Sequence, residues 1–114
     1  MREARAEAME VKLAPALEEY IVRLVHATRQ PEAYRDELAG WVQYGASPRA
    51  SLALDQAARS VAWLEGRNYV SPDDIQRLAP DVFRHRLLVS YRAEAEGITP
   101  DQIVEELLTL VAVP

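Results

Sequence analysis

The sequence of 114 residues contains no cysteine, only two histidines and a single phenylalanine. Without cysteine, the chain has no disulfide bond, no thiolate metal site and no cysteine nucleophile. The two histidines lie far apart in the sequence, which argues against a zinc site. No apolar run approaches the roughly 20 residues that a membrane-spanning helix needs, and residues 1–7 lack the apolar core of a signal peptide. We therefore expect a cytoplasmic protein without a membrane segment.

The sequence also lacks the common catalytic patterns. It has no Gly-rich phosphate loop ending in Lys and Ser/Thr, no Gly-x-Ser-x-Gly and no His-Glu-x-x-His. Its acidic pairs, such as Glu18-Glu19, are adjacent in sequence and would point to different sides of a helix. The net charge of −5 makes non-specific binding to nucleic acid or to an anionic membrane unfavourable. On its own, this chain is not predicted to be an enzyme.

The composition is that of a globular domain, with 49% hydrophobic and 27% charged residues. A chain of this length fits one domain and buries about two-thirds of its surface on folding. Most of the 4 glycines and 7 prolines stand where turns or helix starts are expected. We predict a mainly α fold, a single domain of about five helices with two or three very short strands at most. Residues 11–114 form this domain, and residues 1–10 form an exposed helix or the tail of a preceding domain.

Helix boundaries are marked by prolines and capping residues. Pro15 begins an amphipathic helix that ends near Arg29, and a weaker helix interrupted at Gly40 is predicted over residues 32–44. Ser71 and Thr99 are typical N-caps, each followed by a proline. A proline inside the helix after Ser71, at position 80, predicts a kink or a break. The basic run that follows this helix includes Arg84 and Arg86.

Three short apolar runs are strand candidates. The first two, 11–13 and 68–70, could pair with each other, and the third is 87–89. Between them lies a helix that starts after residue 47 and ends before Gly66, a typical residue to follow a helix C-terminus. The residues predicted to form its buried face are Ala50, Leu54, Ala57, Ala58, Val61 and Leu64.

The segment Gly45-Ala46-Ser47-Pro48-Arg49 has the strongest chemical character. Gly45 and Ala46 leave the backbone accessible, Ser47 is predicted to cap a helix, and Pro48 then occupies its first position. Arg49 falls in the first helical turn, where backbone N–H groups and the helix dipole favour an anion. The planar guanidinium of arginine suits a phosphate. The same pattern is also typical of an ordinary helix start with a solvated arginine.

Four motifs in order give the chain a family resemblance: 45–52 (GASPRASL), 65–75 (EGRNYVSPDDI), 78–87 (LAPDVFRHRL) and 93–100 (AEAEGITP). Together they closely resemble the C-terminal helical lid of MoxR-type AAA+ ATPases and, more loosely, the lid of the magnesium-chelatase ATPase subunit. The resemblance extends from about Lys12 to Pro114.

The resemblance implies a role for Arg49 as the sensor 2 arginine, which reaches the terminal phosphates of ATP bound by a preceding core domain. Gly45, Ala46, Ser47 and Pro48 would position it. The core motifs for ATP and magnesium are absent here, so this chain is expected neither to hydrolyse ATP nor to bind it tightly. The implied partners are that core, further copies in a ring, and client proteins with von Willebrand factor A domains.

Two alternatives remain open at this level. Arg84 and Arg86 could contact a neighbouring subunit, or they could simply interact with the dipole at a helix C-terminus. The chain could also be a free-standing interaction domain with no nucleotide role, with Trp41 and Tyr44 as exposed anchors. Burial of both aromatic residues in the core would argue against that second function.

Overall fold

The computed structural model describes residues 10–114 of the chain. Within this range the protein is mainly α-helical, with one two-stranded sheet. The helices are α1 Pro15–Arg29, α2 Asp36–Ala39, α3 Arg49–Leu64, α4 Pro72–Phe83, α5 Tyr91–Ala95 and α6 Pro100–Leu110, and the strands are β1 Val42–Tyr44 and β2 Leu88–Val89. A 3₁₀ turn, Pro31–Ala33, links α1 to α2. The helix predicted for residues 1–10 falls almost entirely on residues 1–9, which lie outside the described residues. Glu10 lies in a turn.

The core lies between the four longer helices. Helix α3 packs against α1 and α4, and α6 packs against α1 and α4. Each helix contributes one apolar face, because side chains three or four residues apart lie on the same side. The largest buried side chains include Tyr20, Leu24, Leu54, Phe83 and Leu107. The helical fold class predicted from the sequence is confirmed.

Helix α3 is buried along a stripe of three alanines and one leucine. Ala50, Leu54, Ala58 and Ala62, each four positions apart, are all fully buried. Such a stripe lets a neighbouring helix approach closely. The prediction was wrong for Leu64, which is 74% exposed, because it lies on the far side of the helix from this stripe.

The capping residues predicted at the N-termini of α4 and α6 and at the C-terminus of α3 are confirmed. Ser71 and Thr99 each form a capping box, with Asp74 and Gln102 as the reciprocal residues. Gly66 has a φ of +77° and follows α3 in a Schellman motif, in which the N–H of Arg67 donates to the carbonyl of Ala62 at 2.8 Å.

The strands differ from their predicted pairing. Residues 42–44 do not extend a helix past Gly40. They form β1, which pairs antiparallel with β2 through Val42 opposite Val89 and Tyr44 opposite Leu88. The predicted pair 11–13 and 68–70 is reduced to one parallel bridge between Lys12 and Tyr69. The alternation of residues 42–44 was too short to distinguish a strand from a helix end.

Pro80 does not break its helix. Helix α4 is continuous from Pro72 to Phe83 with Pro80 inside it. Ile75, Ala79 and Phe83 on one face of α4 are buried, and this packing stabilises the helix across the proline.

Candidate functional site

The segment Gly45–Arg49 connects β1 to the start of α3. Residues 45–47 form an irregular stretch that begins beside the last turn of α1, Pro48 lies in a turn, and Arg49 begins the helix. Ala46 is fully buried, whereas Ser47, Pro48 and Arg49 are exposed. The segment therefore has an anchored first half and an accessible second half.

Gly45 lies against the backbone of α1. A Cβ atom at this position would lie 2.3 Å from the carbonyl oxygen of Thr28 and 2.6 Å from the Cα atom of Arg29. Backbone atoms cannot move away as a flexible side chain can, so a larger residue would displace the segment or the helix end. The glycine is required here by close approach of two backbone segments.

The backbone of Ala46 is held by a side chain of α1. Its N–H donates to Oγ1 of Thr28 at 2.9 Å, and the Thr28 hydroxyl donates to the carbonyl of Val25 at 2.6 Å. Both groups are buried. A buried N–H that loses its acceptor costs about 1–3 kcal/mol, so this pair fixes the path of the chain just before α3. No local signal in the sequence indicates this role of Thr28.

The start of α3 differs in detail from the prediction. The helix begins at Arg49, with Pro48 at the N-cap position and no side-chain cap. The Ser47 side chain makes no hydrogen bond with the described residues. The reason is that Pro48 already has helical φ and ψ of −55° and −24°, so backbone bonds close the turn. The N–H of Ala50 donates to the carbonyl of Ser47 at 2.9 Å, and that of Ser51 to the carbonyl of Pro48 at 3.1 Å.

Arg49 is exposed in the first turn of α3. Within residues 10–114 its guanidinium forms no hydrogen bond or salt bridge, and the first turn of α3 contains no acidic residue. Most other described arginines are paired with carboxylates, as Arg67 and Arg84 are. Arg49 therefore has its donors available for an external anion, in a position that the anchored half of the segment defines.

The two arginines after α4 differ from each other. The guanidinium of Arg84 donates two hydrogen bonds of 2.9 Å to the carboxylate of Asp101 and lies 3.1 Å from Asp81. This pairing raises the pKa of Arg84 and lowers the pKa of Asp101. Arg86 is exposed, and its side chain has no such partner in the described part of the chain. The structure thus leaves Arg86 the more available of the two.

An ion pair at the junction of α3 and α4, between a buried carboxylate and a partly exposed guanidinium, was not predicted. Arg67 donates two hydrogen bonds of 2.8 Å to Asp74, whose side chain is 3% exposed. The guanidinium holds the pKa of the Asp74 carboxyl below its usual value, and hydrogen bonds at Ser71 act in the same direction. Glu65 and Arg77 extend the network. The capping pattern at residues 71–74 was visible in the sequence, whereas the distant arginine was not.

The two aromatic residues considered as anchors have different environments. Trp41 packs partly against the core, and its Nε1 donates to Glu96 at 3.0 Å. Tyr44 is 67% exposed and lies opposite the exposed Leu88 in the sheet. Only part of the predicted aromatic anchor is therefore on the surface.

Residues 10–114 contain neither a cluster of metal ligands nor a membrane-spanning helix. No group of three or more histidine, aspartate or glutamate side chains is arranged there to hold a metal ion. None of the described helices is long and apolar enough to cross a membrane.

Comparison with known proteins assigns a domain type to most of the chain. Residues 34–107 match the family model described as AAA lid domain. The chain is 48% identical over 100 residues to a protein named Chaperone MoxR1 from Mycobacterium tuberculosis, covering 87% of this chain and 26% of that protein. It is 39% identical over 100 residues to Protein MoxR from Methylorubrum extorquens, covering 82% of this chain and 29% of that protein.

A solved structure shares the fold. A crystal structure from Cytophaga hutchinsonii, of a protein assigned as an ATPase, superposes with a TM-score of 0.92 at 41% sequence identity. The match covers 96% of this chain and 33% of that one. The chain thus spans about a quarter to a third of the length of the relatives that it matches.

Proposed function

Because the chain belongs to the AAA lid domain family and is the lid region of a MoxR-type AAA+ ATPase, we propose that it senses nucleotide. In this proposal Arg49 is the sensor 2 residue, and it contacts the terminal phosphates of ATP bound by a core domain of the same polypeptide. The observation that carries the proposal is the combination at the start of α3. Arg49 has no partner within residues 10–114, while the residues just before it are anchored to α1.

The chemistry follows from the charge of the phosphates. An arginine can form two parallel charge-assisted hydrogen bonds with phosphate oxygens. Loss of the γ-phosphate on hydrolysis removes such bonds, which allows the lid to rotate relative to the core. Arg49 supplies the donors, and Gly45 and Ala46 keep them in place. By the family resemblance, magnesium would be held by the core.

A shallow groove near Arg49 supports a core domain as the partner. The groove lies between α1 and α3 and includes Val22 and Leu52, which are 58% and 62% exposed. Leu52 follows Arg49 by three positions and therefore lies on the same side of the helix. If Arg49 reaches a nucleotide in the core, this apolar surface is carried against the core and loses its contact with water.

Assembly into a ring is a further part of the proposal. The exposed Arg86 is the better candidate for a contact with a neighbouring subunit, since Arg84 is already paired with Asp101. Client proteins with von Willebrand factor A domains remain a prediction from the family resemblance. No nucleic acid or membrane is expected as a partner, in keeping with the net charge of −5.

The decisive experiment is ATP turnover by the full-length protein with Arg49→Ala. We expect turnover to fall by about tenfold or more, the loss typical of a charge-assisted contact to a reacting phosphate. Arg23→Ala is the matched control, because Arg23 is an exposed arginine on α1 whose partner among residues 10–114 is Glu19. Unchanged turnover in a folded Arg49→Ala protein would exclude the proposed role.

The exposed aromatic surface favours one second candidate function. Tyr44 and Leu88 lie side by side on the sheet, and Tyr91 is 87% exposed. These residues would suit a free-standing domain that binds another protein. An antibody against the domain, used on an extract of its source cells, separates the two functions. A native product near 12.8 kDa would support the free-standing domain, and a much larger product would support the ATPase lid.

A further inference from the structure

Helix α3 carries two arginines with different surroundings. Arg49 stands at its first position, and Arg59 lies ten residues further along the same helix. At a rise of 1.5 Å per residue the two positions are about 15 Å apart along the helix axis. The stripe of buried residues at positions 50, 54, 58 and 62 keeps the helix packed over this whole length.

Arg59 holds the segment through which the chain enters the domain. Its Nη1 donates to the carbonyl of Val11 at 2.8 Å, and its Nε donates to Asp55 at 2.5 Å. The Arg59 side chain is 20% exposed and Val11 is buried. The pair with Asp55 orients the guanidinium, so one side chain links α3 to residue 11.

Two backbone bonds hold the same segment from the other side. The N–H of Lys12 donates to the carbonyl of Asn68 at 2.8 Å, and the N–H of Val70 donates to the carbonyl of Lys12 at 2.9 Å. Residues 68–70 belong to the connection between α3 and α4. The entry segment at Val11 and Lys12 is thus bound both to Arg59 on α3 and to the connection that follows α3.

We propose that Arg59 is a positioning residue that couples the phosphate-sensing end of α3 to the entry segment of the domain. This inference rests on the proposed function of Arg49. Because α3 is one continuous packed helix, a displacement of Arg49 when the phosphate is lost moves Arg59 and, through it, Val11. Residues 11 and 12 therefore move with the lid, and nucleotide state reaches the core through this contact.

The test measures movement of the lid in the full-length protein. One fluorophore is placed on the core and the other on the lid at Tyr91→Cys, since Tyr91 is 87% exposed and residues 1–114 contain no cysteine. The energy-transfer efficiency is compared with ADP and with a non-hydrolysable ATP analogue. With Arg59→Met we expect the difference between the two nucleotides to shrink by about half or more, while the affinity for the analogue stays within about twofold.

Two further variants separate coupling from stability. Arg59→Lys keeps a charge near Asp55 but lacks the second donor group of the guanidinium, so it should also reduce the nucleotide-dependent difference. Arg23→Met is the matched control, since it removes an i,i+4 pair with Glu19 that does not contact the entry segment. Its nucleotide-dependent difference should equal that of the unaltered protein.

The outcomes distinguish the two proposals. If Arg49→Ala removes the difference and Arg59→Met and Arg59→Lys both leave it intact, the coupling role of Arg59 is wrong and the proposed function stands. If Arg49→Ala leaves the difference intact, the proposed function itself is wrong. A reduced difference in both Arg59 variants, with unaltered thermal unfolding in Arg59→Lys, supports the coupling role.

Discussion

The hydroxyl of Thr28 and the backbone N–H of Ala46 are joined by a buried hydrogen bond of 2.9 Å. This bond connects the last turn of α1 to the segment that leads into α3. Since Arg49 follows Ala46 by only three residues, the position of its guanidinium depends on the C-terminal end of a helix that is distant in sequence. The candidate site is therefore built from two elements, not from a single motif.

The first prediction concerns this bond. Thr28→Val has nearly the same shape as threonine but removes the acceptor, so the buried N–H of Ala46 is left unsatisfied. We expect the free energy of unfolding to fall by about 1–3 kcal/mol, measured by urea denaturation. Thr28→Ser keeps the hydroxyl and should lose clearly less stability. A larger loss in Thr28→Ser than in Thr28→Val would show that packing of the methyl group, and not the hydrogen bond, is what matters.

The second prediction concerns the close approach at Gly45. Gly45→Ala places a Cβ atom 2.3 Å from the carbonyl oxygen of Thr28. We expect the free energy of unfolding to fall by about 2 kcal/mol or more. Gly40→Ala is the matched control, because its Cβ would meet mainly the exposed, flexible end of Arg92 at 3.3 Å. Thermal unfolding of the two variants should differ clearly, and a tolerated alanine at position 45 would contradict the geometry.

Local signals in the sequence were sufficient to predict most of the helices. The capping boxes at Ser71 and Thr99 and the glycine that follows α3 involve residues within one or two helical turns of each other. Such contacts depend little on the rest of the fold. The start of α1, the end of α3 and the N-caps of α4 and α6 could for this reason be deduced from residue types and spacing.

Contacts between residues that are distant in sequence could not be predicted. The pairing of β1 with β2 joins segments more than forty residues apart, and each strand has only two or three residues. Gly45 was taken as a residue of an accessible loop, although its real constraint is the backbone of α1. The partner of Thr28 and the bond from Arg59 to Val11 likewise depend on how helices pack, for which a single sequence carries no local signal.

The third prediction concerns the acid stability of the Arg67–Asp74 pair. The pKa of Asp74 is lowered in the folded state, so the unfolded chain takes up a proton at higher pH than the folded one does. The stabilisation is therefore complete above the unfolded pKa of about 4 and is lost as the pH falls through the lower folded pKa. We expect the free energy of unfolding to decrease from about pH 5 downwards.

Substitution of the aspartate tests this origin. Asp74→Asn leaves the guanidinium of Arg67 without its buried partner and should cost about 2–4 kcal/mol at pH 7, with a smaller dependence on pH below 5. Asp73→Asn is the matched control, since Asp73 is exposed in the same helical turn. A pH dependence that persists unchanged in Asp74→Asn would assign the acid sensitivity to other carboxylates.

The fourth prediction concerns the proline inside α4. Pro80 has no N–H, so the carbonyl of Gln76 receives no helical hydrogen bond from residue 80, and the ring crowds that carbonyl. Pro80→Ala should restore the bond and raise the free energy of unfolding by about 1–2 kcal/mol, after the greater entropy of the unfolded alanine variant is allowed for. Chemical denaturation measures this difference.

Pro72 provides the opposite case in the same helix. It occupies the first helical position, where the missing N–H has no partner in any helix and the fixed φ favours the helical conformation. Pro72→Ala should therefore lower the stability by about 0.5–1 kcal/mol. A neutral or destabilising effect of Pro80→Ala would contradict the expected gain in stability. It would show that the packing of α4 between α3 and α6 depends on a bend that the proline imposes on α4.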